Sequence, residues 1–197
     1  MSFAVVIAQE APESDPVLYR GNILRSMDKA KLAGFDAVEI HIRNPDGLDR
    51  DALIKYCEIN SLSISALATG MAKRIDGLTL IHDDEYIRTL AVERILGFIE
   101  FAFPFSAGII IGSMRGVIPD NVCNKKYYNR FYACMSEILN LAELLNVPIF
   151  LEVINRYENN YLNTAEEALE IIRLLDSNML KVHLDTFHMN IEETDMV

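Results

Sequence analysis

The sequence predicts an α/β fold, an incomplete (β/α)8 barrel, on three observations. Short apolar runs alternate with helical stretches along the 197 residues, with no internal repeat or low-complexity segment, which specifies parallel strands joined by helical crossovers. No G-x-G-x-x-G follows the first apolar run and no G-x-x-x-x-G-K is present, so the glycine turns of doubly wound sheets are missing from these residues. The polar residues that stand out follow the fifth and sixth predicted strands, a distribution that suits the carboxyl-end site of a barrel. About six strands and five helices are expected. A complete barrel takes roughly 250 residues, so residues 1–197 are read as a single barrel domain lacking its C-terminal portion.

Phe3 to Ala8 is the first apolar strand, and Gln9 to Asp15, with Pro12 and then Pro16, is a loop. Leu18 to Ala33 is helical, with Ile23, Met27, Ala30 and Leu32 near one face and Gly34 ending it before the strand Phe35 to Ile42. Asp49 starts a helix through Asn60, and Leu62 to Ala68 is the third strand. A loop from Thr69 to Thr79 leads to a helix from about Asp84 to Phe103, stopped by Pro104. Ala107 to Ile111 is a brief, strongly apolar strand, followed by the loop Gly112 to Asp120. The next helix ends at Asn146 and carries the stripe Tyr128, Phe131, Tyr132, Met135, Ile138, Leu139, Ala142 and Leu145 at a 3.6-residue period.

The stretch from Val147 to Asn190 organises the rest, because it reads as one β-α-β unit with chemistry at its strand ends. Pro148 to Val153 is a strand with Glu152 set into its end, and Leu180 to Asp185 is a second that ends on a carboxylate before a loop. Between them Thr164 and Glu167 form a capping box ahead of a helix whose apolar face is Ala168, Leu169, Ile171, Ile172 and Leu175. Neighbouring parallel strands place Glu152 and Asp185 side by side, roughly 5 Å apart. Two carboxylates that close repel each other and lose hydration, which calls either for a divalent cation or for hydrogen bonds from nearby cations and amides.

Other polar groups have two readings each. Glu39 and His41 share one face of the second strand and need polar partners there; they either line the barrel mouth or are satisfied internally. His183 is read as an inward, hydrogen-bonded group, and His188 as a loop residue. Arg115 lies in the loop after the fourth strand, where it meets a phosphate or sugar hydroxyl or stays solvated. Lys73 and Arg74 belong either to a lid or to an ordinary loop.

Composition bounds the partners. With 51% hydrophobic and 24% charged residues the chain buries a sizeable core as a soluble globular domain. The formal charge of −11, from 18 basic and 29 acidic residues, disfavours nucleic acid and anionic membranes. Cys57, Cys123 and Cys134 show no paired spacing and fall in segments read as helical, so buried free thiols and a cytoplasmic location are expected. No apolar stretch is long enough to span a bilayer, and no signal segment is expected.

LEVINRYENNYLNT followed by KVHLDTFHMNIEE resembles the D-tagatose/D-psicose 3-epimerase family of the xylose-isomerase-like TIM barrels, the sugar phosphate isomerase/epimerase group. GFDAVEI and IGSMRG are similar to the group more loosely. The resemblance implies a metal-dependent isomerase that epimerises a ketose or ketose phosphate at C3, with Mn2+ as cofactor and Mg2+ or Co2+ as alternatives. It implies Glu152 as metal ligand and catalytic acid/base, Asp185 as second ligand, and Glu158 and His188 as residues holding sugar oxygens. It also implies a homo-oligomer, a dimer. The family's further His and Glu ligands have no counterpart in these 197 residues, so the implied metal site is half built and the chain alone is expected to be inactive. The alternatives are an aldose-ketose type isomerase such as hydroxypyruvate or inosose isomerase, an apurinic-endonuclease type nuclease, which four histidines and the acidic charge argue against, and a non-catalytic truncated fragment.

Overall fold

The computed structural model describes residues 2–13 and 15–195. Among the described residues seven parallel strands form one sheet: β1 (Ala4–Ala8), β2 (Tyr19–Arg20), β3 (Ala37–His41), β4 (Ser63–Ala68), β5 (Gly108–Ile111), β6 (Ile149–Glu152) and β7 (Leu180–His183). Seven α-helices accompany them: α1 (Ile23–Leu32), α2 (Arg50–Asn60), α3 (Gly70–Asp76), α4 (Glu85–Ala102), α5 (Asn124–Leu145), α6 (Ala165–Leu175) and α7 (Thr186–Glu192). The sheet order is β2-β1-β3-β4-β5-β6-β7. Apart from β2 at the edge, each strand lies beside the next one in sequence, with no reversal of order. A doubly wound sheet reverses; a barrel wall does not. The fold is thus the partial barrel that the strand rhythm predicts.

The two faces of the sheet are packed differently, and this positions the site. Ile109, Ile111, Ile149 and Leu151 belong to the main core with Phe98 and Ile95 of α4 and Phe131, Met135 and Ile138 of α5, all buried. Alternation along the strands sends the intervening residues to the inner face. There Ala66, Ala68 and Ile110 make a small separate cluster against Phe150. The inner cluster is far smaller than the core outside the sheet.

Several boundaries differ from the sequence reading, each for a local reason. The helix expected from Leu18 starts at Ile23 because Asn22 caps it, its side chain accepting from the Arg25 amide, and the residues before it pair with β1 as β2. The loop after β4 contains α3, and Ser113–Arg115 form a 3-10 turn. The α5 face includes Tyr127 and Cys134, both buried, while Tyr128, Tyr132 and Leu145 pack only partly against the core. On α6 the capping box of Thr164 and Glu167 is present, with Ala168 and Ile171 buried, but Leu169 is exposed, since it lies a quarter-turn off that face. All three cysteines are free; Cys134 is buried, whereas Cys123, which precedes α5, is exposed, contrary to expectation. Among the described residues no helix is long and apolar enough to cross a membrane.

Candidate metal centre

Glu152 ends β6, whose register pairs it with His183 on β7. The second strand therefore stops two residues short of the expected Asp185. Asp185 is instead the N-cap of α7, its Oδ1 accepting the Phe187 amide at 2.7 Å, and a helix follows where a loop was expected. That helix carries His188, 8% exposed, back over the strand ends. One ligand atom each from Glu152, Asp185 and His188 lie within 4.8 Å of one another. Burial raises the pKa of Glu152; His183 and His188 act against this, and the negative neighbours Asp185 and Glu39 add to it. Two carboxyl groups, one of which resists ionising, and an imidazole make a set that a hard divalent ion would satisfy.

Glu152 and His188 line a pocket of about 310 Å3, with His41, Arg74, Gly112 and Glu158 among its other walls. Glycine at 112 is required by a close approach: a Cβ there would lie 2.0 Å from Glu152 Oε2. Four residues earlier on the same inner face, a Cβ on Gly108 would meet the Phe150 ring at 2.1 Å. The two glycines of β5 and its end thus make space for the two inward side chains of β6.

The loop between β6 and α6 is held by its asparagines. Asn159 donates to the Gly116 carbonyl at 2.8 Å, Asn160 bonds both the amide and the carbonyl of Ile118, and Asn163 donates to the Ile154 and Asn159 carbonyls. Asn155, 1% exposed, donates to Glu158 Oε1 at 2.9 Å and to His188 Nδ1 at 2.7 Å. The sequence reading passed over Asn155 and Gly112. The asparagine run was a visible signal of loop hydrogen bonding; the contact at Gly112 depends on strand register and leaves no local signature.

The other singled-out residues divide. Glu158 stands at the pocket, its Oε1 3.9 Å from His188 Nδ1. His41 bonds Glu39 at 2.7 Å, and of the two His41 lines the pocket. Arg74 pairs with Asp15 at 2.6 Å, and it and Lys73 lie on α3 rather than in a loop. His183 Nδ1 is buried with no hydrogen-bond partner among the described residues, against the expected hydrogen-bonded group. Arg115 is not brought to the pocket: it is fully buried, its Nη1 donates to the Tyr161 carbonyl, and its guanidinium lies over the Tyr161 ring at 5.2 Å. The Tyr161 hydroxyl in turn donates to the Arg115 carbonyl at 2.6 Å, and burial lowers the Arg115 pKa.

Comparisons with known proteins agree with this fold. Residues 27–197 match the family described as Xylose isomerase-like TIM barrel. A ketose 3-epimerase of Arthrobacter globiformis is 31% identical over 180 residues, 87% of this chain and 58% of that protein. A D-psicose 3-epimerase of Enterocloster bolteae is 32% identical over 180 residues, 86% of this chain and 58% of its own length. The solved D-psicose 3-epimerase of Clostridium cellulolyticum H10 with D-tagatose superposes with a TM-score of 0.79 at 24% identity, covering 100% of this chain and 67% of that one. The chain therefore spans less than two thirds of the length of these two curated relatives.

Proposed function

The chain belongs to the xylose isomerase-like TIM barrel family, and from that premise we propose that it supplies the metal-binding and proton-transfer part of a divalent-metal-dependent epimerase acting at C3 of a ketose or ketose phosphate. The observation that carries the reading is the convergence of Glu152, Asp185 and His188 within 4.8 Å at the carboxyl ends of β6 and β7, the place where barrel enzymes keep their chemistry. Similarity to ketose 3-epimerases over most of this chain supports the choice of reaction.

Taking the proton at C3 is slow in water because the ene-diolate left behind is a poor anion. A bound Mn2+, or Mg2+ or Co2+, would act as Lewis acid towards the sugar oxygens. Glu152 and Asp185 would hold it. Glu152 suits proton transfer by its place, at the pocket and at the end of β6, and in the metal-free protein burial raises its pKa. Glu158 and His188 would hold sugar oxygens at the same pocket, which the Glu158–His188 separation of 3.9 Å allows within one small ligand. The pocket, at about 310 Å3, suits a monosaccharide. Arg115, being buried, is assigned no part in binding phosphate. The domain as a whole, residues 1–197, acts as one unit in this reading, and a homodimer in the cytoplasm is its expected setting.

The test is hydrogen exchange. The natural gene product is incubated with Mn2+ in D2O and a panel of ketoses and ketose phosphates, and NMR is read at C3 and C1. Deuterium entering at C3, and lost in Glu152→Gln, is the expected result. Label at C1 would overturn C3 epimerisation in favour of an aldose-ketose isomerase, and no label with any ketose would overturn the proposal.

A further inference from the structure

The amide of Asn155 carries information about its neighbour. Its Oδ1 accepts the backbone N–H of Tyr157 at 3.0 Å. A backbone N–H only donates, so this bond settles which end of the amide is oxygen and which is nitrogen. Nδ2 then has two hydrogens and two acceptors, Glu158 Oε1 at 2.9 Å and His188 Nδ1 at 2.7 Å. An amide nitrogen cannot accept a hydrogen bond. His188 Nδ1 must therefore present its lone pair, and in the neutral ring the proton sits on Nε2.

We propose that Asn155 is a positioning residue that holds His188 as an Nε2–H donor and turns Glu158 to the same pocket, so that His188 hydrogen-bonds a substrate oxygen and leaves metal ligation to Glu152 and Asp185. The spacing of the three ligand atoms, within 4.8 Å, would by itself admit His188 as a third ligand. A protonated Nε2 has no lone pair to give a cation, and Nδ1 is already engaged. Histidines that bind metal through Nε2 donate Nδ1–H to a carboxylate, carbonyl or water; here the partner of Nδ1 is a donor. The choice of amide over carboxylate at position 155 thus selects between a ligand and a hydrogen-bond donor at position 188. Burial of Asn155 at 1% exposure keeps water from exchanging the partners.

The substrate half of this inference rests on the epimerase reading; the tautomer does not. The chain is labelled with 15N-histidine, and long-range 1H–15N correlations are recorded without metal or sugar at a pH where the ring is neutral. The His188 signals are identified by their loss in His188→Gln. The expected pattern is the Nε2–H tautomer in the wild type and Nδ1–H in Asn155→Asp, whose carboxylate accepts from Nδ1. In the natural gene product Asn155→Asp should lower kcat/KM for the C3-exchanging ketose about 10–100-fold. An Nδ1–H tautomer in the wild type overturns the proposal, whatever the variant does. So does a tautomer unchanged in Asn155→Asp, while absence of ketose turnover with the expected tautomers refutes only the epimerase reading.

Discussion

Gly112→Ala should damage metal binding far more than folding. The added Cβ falls 2.0 Å from Glu152 Oε2, 3.2 Å from Glu152 Cδ and 3.4 Å from Ile154 Cδ1. Only the carboxylate is in serious conflict, and it is the far end of a flexible side chain. To restore an ordinary contact it must recede by about 1 Å or more. Metal-oxygen distances tolerate only about 0.2 Å, so a displacement of that size removes Glu152 as a ligand in its present place. Outer-shell changes of this kind cost about 10–100-fold in affinity, and that loss is expected in a Mn2+ titration followed by calorimetry. The contrast is Gly108→Ala, whose Cβ meets ring atoms of Phe150 at 2.1 and 2.8 Å. The Phe150 ring, partly buried against the inner cluster, must turn as one rigid unit, so this variant should lose about 1–3 kcal/mol of stability, a fall in Tm of about 2–12 °C for a chain of this size, with metal affinity kept in the folded fraction. Mn2+ affinity within twofold of wild type in Gly112→Ala, or equal thermal losses in the two variants, would refute the argument that Gly112 is there for the carboxylate.

Glu152→Gln should stabilise the metal-free protein at neutral pH. The native carboxyl, its pKa raised by burial, holds a proton that the unfolded chain has released, so wild-type stability falls as pH climbs from the ordinary carboxylate pKa through the raised one. Urea denaturation at pH 7.5 should favour the glutamine variant and the gap should close below about pH 4; parallel pH profiles would contradict the burial argument. Asp185 has two separable tasks. Asparagine caps a helix as well as aspartate does, so Asp185→Asn should keep α7 and lose only the metal effect, whereas Asp185→Ala should lose a further ~1 kcal/mol or so with the cap bond to Phe187. Wild type with Mn2+ at 100 times its Kd should gain about 2.7 kcal/mol, read as a Tm rise of roughly 5–11 °C that both variants lack.

What the sequence made legible depended on how local the cause was. The capping box at Thr164 and Glu167 is a spacing of three residues and forms as read. Strand order followed from the alternation of runs, because parallel neighbours joined by helices leave few topologies. Asp185 was recognised as important and misplaced: an apolar run ending on a carboxylate reads as a strand end, yet aspartate is also a preferred N-cap, and α7 at seven residues is too short to announce itself by periodicity. The same brevity hid β2 and α3. The partners of Asn155 and Gly112 were hidden for a different reason. Asn155 acts on His188, 33 positions away, and Gly112 on Glu152 across a strand pair, and neither relation leaves a spacing in the chain. Arg115 was assigned by loop position, which gave no sign of the Tyr161 ring that covers it.

Stability alone would not have built the inner face of this sheet. Glu152 opposes folding where it stands, since its charge is desolvated and its neighbours include Asp185 and Glu39. An apolar residue in its place would stand with Ala68 and Ile110, which line the same pocket, and would extend the small inner cluster. Instead the chain places glycine at 108 and 112, which admit the inward side chains of Phe150 and Glu152, and alanine at 66 and 68, while the outer face is filled with isoleucine and leucine and carries the fold. A buried carboxyl with a raised pKa at the wall of a pocket is the arrangement expected where binding, and not packing, selected the side chain. The asparagine-bonded loop from residue 155 to residue 163 fits the same logic: its hydrogen bonds tie it to the backbone at Gly116 and Ile118, so that Glu158 is presented from a fixed platform to a ligand that Glu152 cannot hold by itself.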